Sequence, residues 1–409
     1  MGGVEAVIEQ QALLLSRAGY PTYVVAGRGG QAEVFSRVQL RVIPAIDSED
    51  PTNLVLAQAL ADGAPAAGFA AHCDRIEAAL AEALADADVV LAHNVMTLHL
   101  NLALTVAVLR LAQSSSGPRV VAWCHDLSRH VTPGRGPLRH GFPWDVLRTD
   151  YAQLHYVAVS PRRQRLLAEV LSCPAQRIAV IPNGVDPATL LGLSDRGKAL
   201  VDVFSLLDAD IVILMPVRVT RAKNIEFALQ VTAALKAGGI EPRLVITGPP
   251  DPHASGIAAY FDELRQRRGR LGLEREAVFV YDGTPEAPGP LTLTAGLVGE
   301  FYRVCDLVLM PSHREGFGLP LLEAGLVGKP IFATRVPAVE VVGPDDLQVI
   351  EANETAAGVA ARILARLGQD PAWRLRRQVR REYTWPAIFR RQIEPLIGEL
   401  VQEMRQAAD

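Results

Sequence analysis

Lysine is nearly missing from this chain: Lys198, Lys223, Lys236 and Lys329 stand among 41 basic residues, the rest being arginine. Cysteine is also scarce. Cys73, Cys124, Cys173 and Cys305 lie far apart with no C-x-x-C pair, which argues against a zinc knuckle, a redox motif or a disulfide framework and fits a reducing cytoplasm. No apolar stretch approaches the ~20 residues that a membrane span needs; the longest, Asn101 to Ala112, is broken by Arg110. Met1 is followed at once by Gly2 and Gly3, so no secretory leader is legible. Neither sign of charge dominates. The 41 Lys plus Arg against 45 Asp plus Glu give a formal charge of -4, so no chain-wide basic field exists to hold nucleic acid or anionic lipid. A peripheral membrane contact stays open. What is plentiful is apolar residue: 49% hydrophobic content over 409 residues excludes disorder as the main state. At roughly 150 residues per domain the length suggests two or three domains.

Short β-branched runs alternate with longer amphipathic segments. Thr22 to Ala26, Val38 to Ile43, Val89 to Ala92, Arg119 to Trp123, Tyr156 to Ser160 and Ile178 to Ile181 read as buried strands, with helices over Ala70 to Ala85, Leu98 to Ala112 and Pro161 to Leu171. This is βαβ logic and predicts a parallel sheet. The cluster Ile181-Pro-Asn-Gly-Val-Asp-Pro187 interrupts it, and the same rhythm restarts. Strands are then expected at Ile211 to Val217, Arg243 to Thr247, Val278 to Tyr281, Leu307 to Met310, Pro330 to Ala333 and Gln348 to Ile350. Gly283 to Gly296 reads as a surface loop. The sequence thus divides into a Rossmann-like domain over 1–187, a second over 188–384, and an amphipathic segment over 385–409 whose apolar face must dock on something. The fold class is α/β, doubly wound, with parallel sheets.

The most informative stretch is Pro311-Ser-His-Arg-Glu315-Gly-Phe-Gly-Leu-Pro-Leu-Leu-Glu323-Ala, directly after a buried strand. Gly316 and Gly318 remove Cβ atoms where backbone must approach a ligand, and Pro320 suits a first helical turn. Free N–H groups at that helix start suit a phosphate. Glu315 and Glu323 then stand beside an anion site, where carboxylates suit sugar or ribose hydroxyl groups. Taken singly, each reads as an acid favoured by the helix dipole. As an acid and nucleophile pair they would need a separation of roughly 5 to 9.5 Å, which ranks hydrolysis low, since eight helical residues rise ~12 Å. A second constellation, Arg218-Val-Thr-Arg-Ala-Lys223-Asn224, closes the strand that opens the second domain. Arg218 and Lys223 offer a forked and a point cation for a diphosphate, and Asn224 a helix cap. Alone this reads as a solvated basic turn; its place in the same domain as the two glutamates raises it. Gly248 ends the neighbouring strand at the ligand edge.

With Gly2-Gly3-Val-Glu5 opening a helix, His125-Asp126 after a strand, Val157 to Ser160, Ile181 to Asp186, Arg218 with Lys223, the E-x7-E frame and a late Trp385, the chain resembles the retaining GT-B glycosyltransferases of family 4 (glycosyl transferases group 1). The texture of Arg218 to Asn224 and of Gly248 to His253 is also similar to that of mannosylglucosylglycerate synthase-type enzymes. The resemblance implies two Rossmann-like domains facing across a cleft, with the C-terminal helix returning to the first. It implies a hexose moved from an NDP-sugar to a hydroxyl acceptor with retention of configuration. Arg218 and Lys223 would bind the donor diphosphate and Glu323 the ribose. Glu315 and the backbone of Gly316, Phe317, Gly318 and Leu319 would hold the sugar, and Gly3 would close on the phosphate. His125 would face the sugar; on its residues alone it reads equally as an orientation or packing group. Base recognition is expected near Tyr281 and Asp282.

The acceptor is read from Asp126, Arg129, Arg135 and Arg139, in a basic loop that predicts a carboxylated or phosphorylated small molecule. No Asp-x-Asp motif stands at a strand end, so no obligatory metal cofactor is expected, although Mg would be compatible; Asp86-Ala-Asp88 precedes a strand, on the wrong edge. The competing readings are an NDP-sugar epimerase or a sugar phosphorylase of the same fold, and a catalytically incomplete nucleotide-sugar-binding subunit. Finally, a doubly wound domain carries a strand ahead of its first glycine turn. Here only Met1 precedes Gly2, which predicts that roughly ten to fifteen residues, a strand and its turn, are missing ahead of it.

Overall fold

A computed structural model describes residues 3–29, 38–63, 67–132, 134, 138–285, 287–337, 339, 343 and 347–408. The chain forms two compact units, residues 1–184 with 385–409, and residues 185–384. The first crossing falls at Gly184, ahead of Pro187. Gly184 backs onto Trp385, where a Cβ would lie 2.8 Å from the indole, and Val185 already pairs with Thr384.

The first unit contains α1 (Gly3–Arg17), β1 (Tyr23–Ala26), β2 (Gln39–Val42), α2 (Pro51–Ala61), α3 (Phe69–Ala83), β3 (Val89–His93), α4 (Leu102–Gln113), β4 (Arg119–Cys124), β5 (Leu154–Ala158), α5 (Pro161–Leu171) and β6 (Ile178–Val180). Its pairing is parallel throughout, in two pieces, β1–β2 and β3–β4–β5–β6, with no strand among the described residues joining them. The smaller piece is pinned to the turn before β3. Asp86 accepts from the Tyr23 hydroxyl at 2.9 Å and from both terminal nitrogens of Arg41 at 2.9 and 3.0 Å. These hydrogen bonds, Arg41's first, hold the Asp86 carboxyl well below the usual carboxylate range.

Local chemistry sets the helix starts. Ser160 caps α5 by accepting from Arg163 N, with Pro161 beginning the helix. Asn101 accepts from Leu104 N at 3.0 Å, so α4 starts at Leu102 rather than at Leu98, correcting the longer reading. Helix α2 was invisible to periodicity because its apolar residues spread around the axis; the signal that marks it is the Asp50 cap followed by Pro51.

One face of β4 and β5 is covered by α1 and by the C-terminal helical segment Trp385–Ala408. Val7 and Leu15 meet Val121, Trp123 and Val157 there, together with Trp385, Ile388, Phe389, Ile393 and Leu400. Ile388 and Ile393 are wholly buried. The other face packs on α3, α4 and α5 through Ile76, Leu80, Val106, Ala107 and Leu167.

The second unit contains α6 (Pro187–Leu190), α7 (Asp195–Val203), β7 (Ile211–Met215), α8 (Ile225–Ala237), β8 (Pro242–Ile246), α9 (Ile257–Arg270), β9 (Ala277–Phe279), α10 (Ala295–Val304), β10 (Leu307–Met310), α11 (Leu319–Leu326), β11 (Ile331–Thr334) and β12 (Gln348–Ile350), followed by helices Ala356–Gln369 and Pro371–Gln378. The sheet order is β12–β11–β10–β7–β8–β9, all parallel. Strands β7, β8 and β10 are buried at every position, which is why they read as unbroken apolar runs. The order reverses between β7 and β10, the first and fourth strands of this unit. Ligands of doubly wound sheets bind at the strand C-termini of such a reversal.

The segment over 371–383 is riveted to the opposite sheet edge. Arg380 donates to Asp306 at 2.9 Å and Arg377 to Asp210 at 2.8 and 3.0 Å, the two acids that precede β10 and β7.

Ile388→Ala is expected to cost about 2–5 kcal/mol, as for other buried Ile truncations. Thermal denaturation followed by circular dichroism checks this, and an unchanged melting temperature would show that the segment docks without contributing.

Candidate active site

After Met215 the chain leaves the sheet through Pro216 and Val217, crosses Arg218 and closes a 3-10 turn over Arg221–Lys223. Gly248, at the end of β8, passes so close that a Cβ there would lie 2.2 Å from the Val217 carbonyl oxygen. That crossing by itself requires glycine at this position. The crossing continues as Val219 N donates to Pro249 O and Asp251 N to Val219 O. This carries the Asp251 carboxylate to 3.8 Å from the Arg218 guanidinium. Asn224 stands at the start of α8 in a left-handed conformation and makes no side-chain cap, contrary to expectation.

The turn after β10 is stitched to the first one by His313 N, which donates to Ala222 O at 2.8 Å. Glu315 is then clamped at both oxygens. Oε2 accepts from Lys223 Nζ at 2.7 Å and Oε1 from the Ser312 hydroxyl at 2.6 Å. Ser312 is fully buried, and its carbonyl in turn accepts from the Thr334 hydroxyl. The Glu315 side chain is 6% exposed and Lys223 20%, so this pair is largely desolvated. Removing one partner of such a pair leaves an uncompensated charge, at a cost of about 3–5 kcal/mol. Beyond it, the Cβ position of Gly316 faces open space, and Gly318 has φ +81°, a conformation that favours glycine, at the uncapped start of α11. Phe317 and Leu319 are exposed.

These two turns line a pocket of about 700 Å³, with Arg218, Lys223, Asp251, Glu315 and the backbone from Gly316 to Leu319 on its wall. It sits at the strand-order reversal. Glu323 lies one turn farther along α11; it is exposed, and its Oε2 accepts from the Tyr302 hydroxyl at 2.6 Å. Tyr281 and Asp282 follow β9. Asp282 is held by Arg265 and, at 3.6 Å, by Arg268, and Tyr281 meets the Phe261 ring edge-on. Sequence reasoning missed Ser312, Tyr302 and Asp251, because the first two read as core positions and the third as loop.

In the first unit, Asn94 takes a left-handed turn, and its Oδ1 accepts from both His125 N and Asp126 N at 2.9 and 3.0 Å. His125 is 6% exposed, and its Nε2 lies 3.0 Å from His93 Nδ1. The His93 ring stacks on both His125 and Trp123. Burial pushes both imidazoles down, His93 to about 3, helped by its histidine neighbour. Gly3 opens α1 with free space at its Cβ position. The basic loop is less available than its composition suggested. Asp126 pairs with Arg163 at 2.6 Å, Arg129 donates to His130 and Arg139 to the Ala61 carbonyl. Arg148 is held by Asp145. Arg139 thus ties the loop to α2, while Arg129 stays exposed; Arg135 lies outside the described residues.

The Glycosyltransferase Family 4 model matches residues 1–189, and the Glycosyl transferases group 1 model residues 202–382. The chain belongs to glycosyltransferase family 4. Each of its two units has the parallel strands and alternating helices of a Rossmann-like domain. A D-inositol 3-phosphate glycosyltransferase of Actinosynnema mirum is 32% identical over 171 residues, 41% of this family 4 chain and 38% of the relative. Another bearing the same name, from Nocardia farcinica, is 28% identical over 204 residues, covering 49% and 42% respectively. The chain thus spans about two fifths of the length of these curated relatives. Among solved structures, Anabaena HepE in complex with UDP-glucose is 18% identical with TM-score 0.35, over 97% of this chain and 96% of that one. No described helix is long and apolar enough to cross a membrane.

The depressed histidines make stability depend on pH. An imidazole whose folded value is about 3 against 6.5 ordinarily stabilises fully above 6.5, and that contribution drains away as pH falls toward 3. Buried His72 and the half-buried His99 and His155 shift the same way. The melting temperature is expected to fall steadily below about pH 6.5, and His93→Gln to make that fall shallower. Melting curves of both proteins between roughly pH 7.5 and 4.5 check it.

Proposed function

We propose that this family 4 chain is a retaining glycosyltransferase that moves a hexose from a nucleoside diphosphate sugar to a hydroxyl of a small phosphorylated or carboxylated acceptor. The observation that carries the reading is the placement of Lys223 and Arg218 in one pocket at the strand-order reversal, beside a glycine turn and the Glu315 carboxylate. An ammonium has three donors; Glu315 takes one and fixes the nitrogen, leaving two for phosphate oxygens. Arg218, 62% exposed and only loosely paired to Asp251, supplies a fork for the same diphosphate.

Retention without a protein nucleophile suits such a site. The acceptor hydroxyl attacks from the face that the diphosphate leaves, and a phosphate oxygen takes its proton. The protein's contribution is positioning and stabilisation of charge on the leaving group, which preorganised cations supply without reorganising. Glu315 and the Gly316 to Leu319 backbone hold the sugar in this reading, and Glu323 the ribose. The phosphorylated acceptor is supported by the names of the relatives, both of which act on an inositol phosphate. In the basic loop Arg139 is already engaged with the Ala61 carbonyl, while exposed Arg129 still favours such an acceptor.

A thermal-shift panel of UDP-, GDP- and ADP-glucose identifies the donor, because a ligand that binds the folded state raises apparent stability. Transfer to inositol phosphate or glycerate is then followed by NMR, and the product anomer is expected to match the donor's; an inverted product rules out retention. Donor consumed without acceptor would favour the epimerase reading. Arg218→Ala is expected to lower turnover by roughly 10²-fold or more, the usual loss of a charge-stabilising donor. Its melting temperature should stay unchanged, since the side chain is exposed. Normal turnover in that variant would take the diphosphate away from Arg218.

A further inference from the structure

Both carboxylates of the Glu315 and Glu323 frame have one oxygen held by a hydroxyl group from outside the frame. For Glu315 that group is Ser312, and for Glu323 it is Tyr302, on α10. Tyr302 lies on the buried face of α10 at 3% exposure, packed in one cluster with Leu321 and Ala324 of α11. A hydroxyl in such surroundings must find a partner. It donates to Glu323 Oε2 at 2.6 Å, with the Pro320 carbonyl a distant second at 3.5 Å. Burial, and then the neighbouring carboxylate, push this hydroxyl far above the ordinary tyrosine range, so it stays a donor at every working pH.

Glu323 itself is exposed on α11, where a glutamate ordinarily samples many rotamers. The bond from Tyr302 removes that freedom before any ligand arrives. It occupies one oxygen, and among the described residues no group donates to Oε1. A carboxylate fixed at one oxygen and open at the other is a preorganised acceptor for a hydroxyl group, and preorganisation lowers the ordering cost of binding.

We propose that Tyr302 is a positioning residue that aims Glu323 at the ribose of the donor nucleotide and so sets the preference for ribose over deoxyribose; this rests on the donor-site reading above. The test is a binding cycle on the full chain by isothermal titration calorimetry, using UDP, GDP and ADP and then the 2′-deoxy and 3′-deoxy counterparts of whichever binds. Tyr302→Phe keeps the ring and removes only the donor; circular dichroism confirms its fold. The ribonucleotide is expected to bind this variant roughly tenfold more weakly than wild type, the loss typical of a hydrogen bond to a charged group. The counterpart lacking the contacted hydroxyl should bind both proteins alike. Equal weakening of all three nucleotides, or none, would overturn the proposal. Glu323→Ala taken through the same cycle separates the two layers. If Glu323→Ala also weakens the ribonucleotide and its deoxy counterparts equally, or not at all, or if no nucleotide binds the wild type, the ribose reading fails and takes the proposal with it. If Glu323→Ala loses the preference and Tyr302→Phe keeps it, only Tyr302 is wrong. Should Tyr302→Phe fail to fold, Glu323→Asp draws the carboxylate back by one methylene and probes the same bond; a retained ribose preference there also overturns the proposal.

Discussion

The 2.7 Å bond between Lys223 and Glu315 joins two turns that lie 92 residues apart in sequence and on either side of the strand-order reversal. A largely desolvated ion pair is tolerated only when both partners are further satisfied, and the surrounding geometry follows from that demand. Ser312 must be buried so that its hydroxyl can take the second carboxylate oxygen. Thr334, across on β11, holds the Ser312 carbonyl, and His313 is tied to Ala222 so that the turns do not part. The glycines that follow open the pocket beside a cation already fixed in position.

Opposing uses of charge distinguish the two units. In the second, the pocket keeps Arg218 loosely held, while Arg377 and Arg380 are consumed at the other edge of the same sheet by Asp210 and Asp306. In the first unit Arg139, in the loop after β4, is spent on the Ala61 carbonyl, and the functional candidate is a neutral, stacked imidazole. Neutral nitrogen at one place and permanent cation at another is what burial and exposure respectively produce from His and Arg.

Much of this was legible beforehand. Apolar strand runs, the Pro/Gly/Asn break before Pro187 and the glycines around Glu315 each carry a local physical signature, and local signatures survive in one dimension. Ser312 and Tyr302 carried none: a serine after a strand and a tyrosine on an apolar helix face look like filler. Asn224 misled for the converse reason, since its residue type suits a helix cap while the backbone around it takes a left-handed turn.

By itself, then, the sequence determined the alternation of strand and helix, the doubly wound class and the short list of charged and glycine residues at strand ends, because these depend on side-chain period and backbone freedom. Only the tertiary structure decided which charges are spent and which are left. That Lys223 is shared with Glu315, that Arg139 is tied to Ala61, and that Glu323 leans on Tyr302 are outcomes of distance between residues far apart in the chain. The strength of each bond depends on the burial that the packed fold imposes.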